Sequence, residues 1–349
     1  MGVRSRVVCA GVAVLLSAIA PFVAYAQESV EQFYKGKQIN LVIGTSPGGG
    51  YDTYARLVAR RLGNYLPGNP AIVPQNMPGA GSNKAAGYIY SVAPRDGTAI
   101  GAIFSGAILQ PLLGEPAGQH DPSKFLYVGN ANNEVFLCLA RSDAPVKSFA
   151  DVLHQELIVG ASSEGGSTRD FPAMLNNVLG AKFRIVTGYP GSNEITLALE
   201  RGEIQGVCGI GWSSVAAQHP HWLTNGTVRL LAQEAIKGHP TMNKMGVPLA
   251  LDFAKTTEDR QVMQLVYSQL TFGRPYIFGP GVPADRVAAV RKAFMAAVQD
   301  KESLAEAQKM HVDLDALGGE EVQAEVTKAY AMPPNVIERA KQALIYKPR

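Results

Sequence analysis

Residues 39–52 read Ile39-Asn40-Leu41-Val42-Ile43-Gly44-Thr45-Ser46-Pro47-Gly48-Gly49-Gly50-Tyr51-Asp52: five strand-forming residues, a small polar loop and three consecutive glycines. Beyond it Tyr54, Leu57, Val58 and Leu62 recur at helical spacing, with Asp52 placed to cap the helix or lie in its first turn. The unit is strand, glycine loop, helix. A strand at Ala71-Ile72-Val73 follows, then the loop Pro78-Gly79-Ala80-Gly81-Ser82, a helix through Ala85, Ile89 and Val92, the turn Pro94-Arg95-Asp96-Gly97, and a strand from Thr98 to Phe104. The same pattern restarts at Leu157-Ile158-Val159-Gly160, passes through a loop at 162–167, a helix through Phe171, Leu175 and Val178, the strand Phe183–Val186, the loop Tyr189-Pro190-Gly191-Ser192 and a helix from Glu194 to Arg201, and reaches the strand holding Cys208. Two βαβαβ units imply two parallel α/β sheets, with a ligand site at the carboxyl ends of the strands. Leu270 to Arg274 reads as a connecting strand. The helix from Pro283 onward carries Val287, Val290, Phe294 and Val298 on one face. The chain therefore divides into 27–135 as the first part of lobe 1, 136–264 as lobe 2, and 265–349 as a return segment with C-terminal helices completing lobe 1.

Composition agrees with two packed cores. Of 349 residues 46% are hydrophobic and 17% charged, which excludes intrinsic disorder and a coiled coil. Arg4 and Arg6 precede an apolar stretch from Val7 to Ala20 and the small-x-small sequence Ala24-Tyr25-Ala26, the layout of a cleavable export signal over residues 1–26. Its loss would take the net charge from +3 to +1, and no Lys/Arg run suits a nucleic acid. Cys138 and Cys208 remain after that cleavage. In an oxidising compartment they either pair or stay as two separately buried thiols.

The glycine loops are the best candidates for chemistry, because loop amides and the positive end of the following helix attract anions. Nucleotide binding is disfavoured: no Gly-Lys-Ser/Thr follows Gly48–Gly50, and Thr53 stands where G-x-G-x-x-G needs glycine. Gly160-Ala161-Ser162-Ser163-Glu164 fails the nucleophile elbow at its last position. His219-Pro220-His221 is the one close histidine pair, but with no Cys cluster or His-Glu-x-x-His helix beside it no metal is assigned there. Arg169 and Arg274 are the basic residues placed to meet a ligand, and Tyr51, Phe104, Trp212 and Phe272 the side chains placed to set pocket volume. Asp52 is expected to cap its helix or pair with Arg56.

The motifs Gly48-Gly49-x-x-Asp52 with Arg56, Pro78-Gly79-Ala80-Gly81, Ala93-Pro94-Arg95-Asp96-Gly97, Gly166-Ser167 and Tyr189-x-Gly191-Ser192, in this order, resemble the solute-binding receptors of the tripartite tricarboxylate transporter family, the Bug or TctC-like proteins. The resemblance runs from about residue 33 to the end. It implies a type II, Venus-flytrap fold of two lobes closing on a small carboxylate, in a periplasmic monomer that serves membrane permease subunits and has no enzymatic activity, cofactor or metal. Carried over by position, the ligand would meet Thr45, Ser46, Gly48, Gly49, Asn83 and Ser105 on one lobe and Ser167, Thr168, Tyr189 and Ser192 on the other, with Arg274 on the return segment. Gln205 stands where the family commonly has Asp, and Gly188 where proline often precedes the tyrosine. The alternatives are a periplasmic enzyme acting in the same cleft, with its base among His120, His154 or Glu164, and a co-receptor presenting its ligand to a sensor kinase.

Overall fold

The computed structural model describes residues 1–2, 28–114, 120–162 and 164–347; the export signal expected at 1–26 lies outside them apart from its first two residues. The chain opens with α1 (Val30–Tyr34), β1 (Gln38–Ile43), α2 (Gly50–Tyr65), β2 (Ala71–Asn76), α3 (Asn83–Ser91), β3 (Ala99–Ala102), α4 (Gly106–Leu113) and β4 (Leu126–Asn130). It then crosses to β5 (Phe136–Arg141), β6 (Leu157–Gly160), α5 (Ser167–Leu179), β7 (Phe183–Val186), α6 (Ser192–Arg201), β8 (Gly206–Gly211), α7 (Trp212–Gln218), α8 (Pro220–Thr224) and β9 (Val228–Glu234). After α9 (Pro240–Lys244) and α10 (Thr257–Tyr267) it returns through β10 (Pro275–Phe278), α11 (Ala284–Gln299), α12 (Lys301–Lys309), β11 (Leu317–Gly318), α13 (Gly319–Tyr330) and α14 (Pro334–Leu344).

The strands form two sheets, ordered β11-β4-β10-β3-β1-β2 and β7-β6-β8-β5-β9. Each contains one of the βαβαβ units as a parallel trio, β2-β1-β3 and β7-β6-β8, in the same 2-1-3 order. The sheets are mixed rather than wholly parallel. β10 runs antiparallel to β3 and β4, and β5 antiparallel to β8 and β9, because these strands enter from the other lobe or from a short return. Pro74 is tolerated in β2 because that strand forms the sheet's edge. The apolar face of α11 seats Val287, Val290, Phe294 and Val298 in the lobe 1 core with Tyr54, Leu57, Val58 and Leu62 of α2.

Two assignments are corrected. Leu270–Arg274 is not a strand: Ser268–Phe272 continues α10 as a 3-10 turn, held by the Ser268 hydroxyl on the Leu265 carbonyl and the Thr271 hydroxyl on the Ser268 carbonyl, both 2.7 Å. Pairing resumes at Pro275. The segment 265–349 also does not belong wholly to lobe 1, since α14 lies against α5 and α10. Asn177 of α5 donates to the carbonyls of Ala343 (2.8 Å) and Ile345 (2.7 Å), and Arg169 to that of Leu344 (2.6 Å), so polar side chains of lobe 2 finish the end of this helix.

Cys138 and Cys208 are joined by a disulfide between the adjacent strands β5 and β8, both completely buried. Of the two alternatives for these thiols, the structure takes the paired one. No helix among the described residues is long and apolar enough to cross a membrane.

Candidate functional site

The carboxyl ends of β1, β3, β6 and β8 face one another across a cavity of about 420 Å³. What surrounds it follows from the glycines. α2, α5, α6 and α7 begin at N-cap residues Gly49, Gly166, Gly191 and Gly211, and α4 at Ser105; none of these five caps makes a side-chain hydrogen bond to its helix. All five cap residues line this one cavity. The first amides of a helix have no internal partner and carry the positive end of its dipole. A glycine cap adds no side chain over them, an arrangement of neutral groups that is chemically suited to an anion.

Charge within the lining is sparse. Glu194 is its only carboxylate and Arg274 its only cation among the described residues. Arg274, 3% exposed, donates from Nη2 to Glu134 Oε2 at 2.6 Å and to Ser213 Oγ at 3.2 Å, while its guanidinium lies 4.1 Å from the Tyr51 ring centre. Glu134, buried as well, accepts from the amide and hydroxyl of Ser213 at 3.3 and 2.6 Å. The protein's own carboxylate thus fills the N-terminal position of α7.

The sequence-derived residues distribute as follows. Thr45, Ser46, Gly49 and Ser105 line the cavity from lobe 1, Ser167, Thr168 and Ser192 from lobe 2, with Arg274 beneath. Thr45 Oγ1 is buried with no partner, Ser105 Oγ lies 3.4 Å from the Tyr51 hydroxyl, Ser167 Oγ donates to the Gly209 carbonyl at 2.7 Å, and Thr168 Oγ1 accepts from the Ser162 amide at 3.0 Å. Gly48, Asn83 and Tyr189 are not among the lining. The Gly48 amide is taken by Asp52 at 2.9 Å. Asn83 points at the Ala80 carbonyl (2.7 Å) and at Gln110, beside an adjoining chamber. Tyr189 sits half-buried in the lobe 2 core. Asp52 both lies in the first turn of α2 and binds Arg56, at 3.0 Å. Burial alone would raise its pKa, but the bonds from Arg56, Gly48 and Asn76 outweigh burial and hold the carboxyl below its ordinary value.

Tyr51 and Phe104 meet edge to face at 4.4 Å on the cavity wall, whereas Trp212 and Phe272 are core residues outside the lining. Arg169 is bound by Asp170, Glu164 and the Leu344 carbonyl in the adjoining chamber. Gly188 has φ +109°, a backbone state closed to proline, which accounts for the departure at that position. The side chain of Gln205 accepts from the Ile158 amide at 3.0 Å and so serves the sheet. Sequence reasoning missed Glu134, a lone carboxylate in a crossing loop.

The architecture is that of the two-lobed periplasmic binding proteins. The structure aligns with that of the periplasmic binding protein BugD at a TM-score of 0.69 and 19% identity, over 89% of this chain and 98% of that one. It aligns with the R. palustris protein Rpa4515, determined with adipate, at a TM-score of 0.67 and 21% identity, over 87% and 97% of the two chains. In sequence, a UPF0065 protein from the TAR-I ttuE-ttuC' intergenic region of Agrobacterium vitis is 28% identical over 204 residues, or 56% of this chain; the match spans 57% of that relative's length. No family model matches the chain.

Proposed function

We propose that this protein is an extracytoplasmic solute-binding receptor that captures a small carboxylate between its lobes and delivers it to the membrane permease subunits of a tripartite tricarboxylate-type transporter. The observation that carries the reading is the convergence of uncapped helix N-termini from both lobes on one cavity. A hydrogen bond to a charged group contributes about 1.5–3 kcal/mol, so four or five amide and hydroxyl donors suffice for about micromolar binding of a carboxylate with no ion pair. The cavity volume falls within the range of about 300–1,000 Å³ typical of small-molecule sites. The likeness to a structure holding adipate favours a dicarboxylate. We assign Thr45, Ser46, Gly49, Ser105, Ser167, Thr168 and Ser192 to the ligand, and propose the permease partner and the monomeric state on the family resemblance of the sequence motifs. None of His120, His154 and Glu164, the bases named for an enzyme in the same cleft, is among the residues that line the cavity.

The test is a thermal-shift series on the purified chain with mono-, di- and tricarboxylates, each paired with its uncharged amide. A ligand at 100 times its dissociation constant stabilises by about 2.7 kcal/mol. The reading expects a carboxylate to raise Tm while its amide does not, with the rise reduced in Thr45→Val and Ser105→Ala. Equal shifts for acid and amide, or no shift with any carboxylate, would overturn it.

A further inference from the structure

On the outer side of lobe 2, away from the cleft, Glu200, His219 and His221 each offer one donor atom, and the three atoms lie within 4.8 Å of one another. α7 ends at Gln218 and α8 starts at Pro220, so His219 between them is at once the C-cap of the first and the N-cap of the second. The reversal turns both imidazoles of His219-Pro220-His221 toward the last turn of α6, where Glu200 waits. His219 Nδ1 is 3.3 Å and His221 Nε2 3.6 Å from Glu200 Oε1.

Those spacings are informative. Zinc–nitrogen and zinc–oxygen bonds of about 2.0–2.2 Å at tetrahedral angles place neighbouring donor atoms about 3.3–3.6 Å apart. The ligands are also held from behind. The His219 ring stacks on Trp222 at 4.0 Å, and the Trp222 indole N–H donates at 2.9 Å to the same Glu200 Oε1 that the imidazoles face, fixing that oxygen as outer groups fix metal ligands. Trp222 is completely buried, so the support is rigid, while His221 is about half exposed and leaves an open approach.

We propose that Glu200, His219 and His221 form a binding site for a borderline divalent transition ion such as Zn²⁺, with solvent in the fourth position. Two imidazoles and one carboxylate suit zinc, nickel or copper and not the hard, all-oxygen coordination of calcium or magnesium. The ion would tie the C-terminal turn of α6 to the α7–α8 corner. Both α6 and α7 present their opposite ends to the cleft, at Ser192 and Ser214, so the tie would fix the spacing of two cleft-lining helices.

The experiment is calorimetric titration of the chelator-treated, tag-free chain with zinc chloride, together with its Tm. The proposal expects one saturable zinc per chain, a Tm rise, and a loss of affinity of about 10–100-fold or more in both His221→Ala and Glu200→Gln. The first removes an exposed side chain and the second keeps an acceptor for Trp222, so both variants should fold; a Tm without zinc close to that of the parent confirms it. A His154→Ala control should bind as the parent does. Absence of 1:1 binding, or binding unaffected by His221→Ala, would overturn the proposal, and equal binding of Ca²⁺ would overturn the assigned ion class.

Discussion

Replacing Glu234 by glutamine should stabilise the protein at alkaline pH and leave it nearly unchanged in mild acid. Glu234 ends β9 completely buried; one carboxylate oxygen accepts from the Gly209 amide at 2.5 Å, and the other has no partner. Burial pushes its pKa up to about 8 from 4.5, against the opposing pull of that amide. The folded chain therefore holds a proton that the unfolded chain releases above pH 4.5, and stability must fall as pH rises from about 4.5 to about 8. At about 1.4 kcal/mol per unit the full loss is about 5 kcal/mol. Glutamine has the same shape, keeps an oxygen for Gly209 and never ionises. In urea unfolding at pH 5, 6.5, 8 and 9, the variant should match the parent at pH 5 and exceed it progressively, by several kcal/mol at pH 9. Taking the difference between the two proteins cancels other titrating groups, including Asp170, which burial raises to about 6. Parallel curves, or a variant weaker than the parent at every pH, would refute the account.

Glu134→Gln should act in opposite directions on the empty and occupied protein: losing one partner of a buried pair costs about 3–5 kcal/mol, while the unneutralised Arg274 at the cavity should enlarge the Tm rise produced by a bound carboxylate, both read in one thermal-shift series. Alkylation before and after reduction, followed by mass measurement, should show the Cys138 and Cys208 thiols reacting only after reduction. Asp52→Asn should destabilise at neutral pH, because a carboxyl held below its ordinary value contributes stability that is present above the unfolded value of 3.8 and lost as pH falls through the folded one. Unfolding at pH 7 and pH 3 should therefore show a larger penalty at pH 7.

What the sequence disclosed were features encoded within a few residues. An apolar run, a glycine loop and a helical repeat occur together at 39–62 and again at 157–178, and each became a strand, loop and helix facing the same cavity. What it concealed depended on partners far along the chain. Leu270-Thr271-Phe272 alternates like a strand, yet hydroxyl-to-carbonyl bonds keep it in a helical turn and leave Arg274 to meet Glu134, 140 residues earlier. The destination of α14 rests on Arg169 and Asn177 reaching its final carbonyls, which no local pattern announces. Gly49, Gly166 and Gly191 were legible as loop residues, but the sequence could not show that each is a bare helix cap turned toward one point.

For the proposed receptor, the division of those caps between the lobes supplies a reason to close. α2 and α4 belong to lobe 1, and α5 and α6 to lobe 2. A carboxylate resting on one lobe alone meets two helix termini; between closed lobes it meets four. At about 0.3–1 kcal/mol each, rising to about 2 in partly buried geometry, the two added termini favour closure by roughly 1–4 kcal/mol. A ligand shifts an equilibrium only by its differential affinity for the two states, so this difference corresponds to a bias of about fivefold to nearly a thousandfold. An uncharged ligand of the same shape would gain little from the termini. Discrimination for charge and the drive to close would then have one physical origin, which is why the α7 terminus matters: already filled by Glu134, it adds nothing to either and instead ties the crossing loop at Glu134 to the return strand at Arg274.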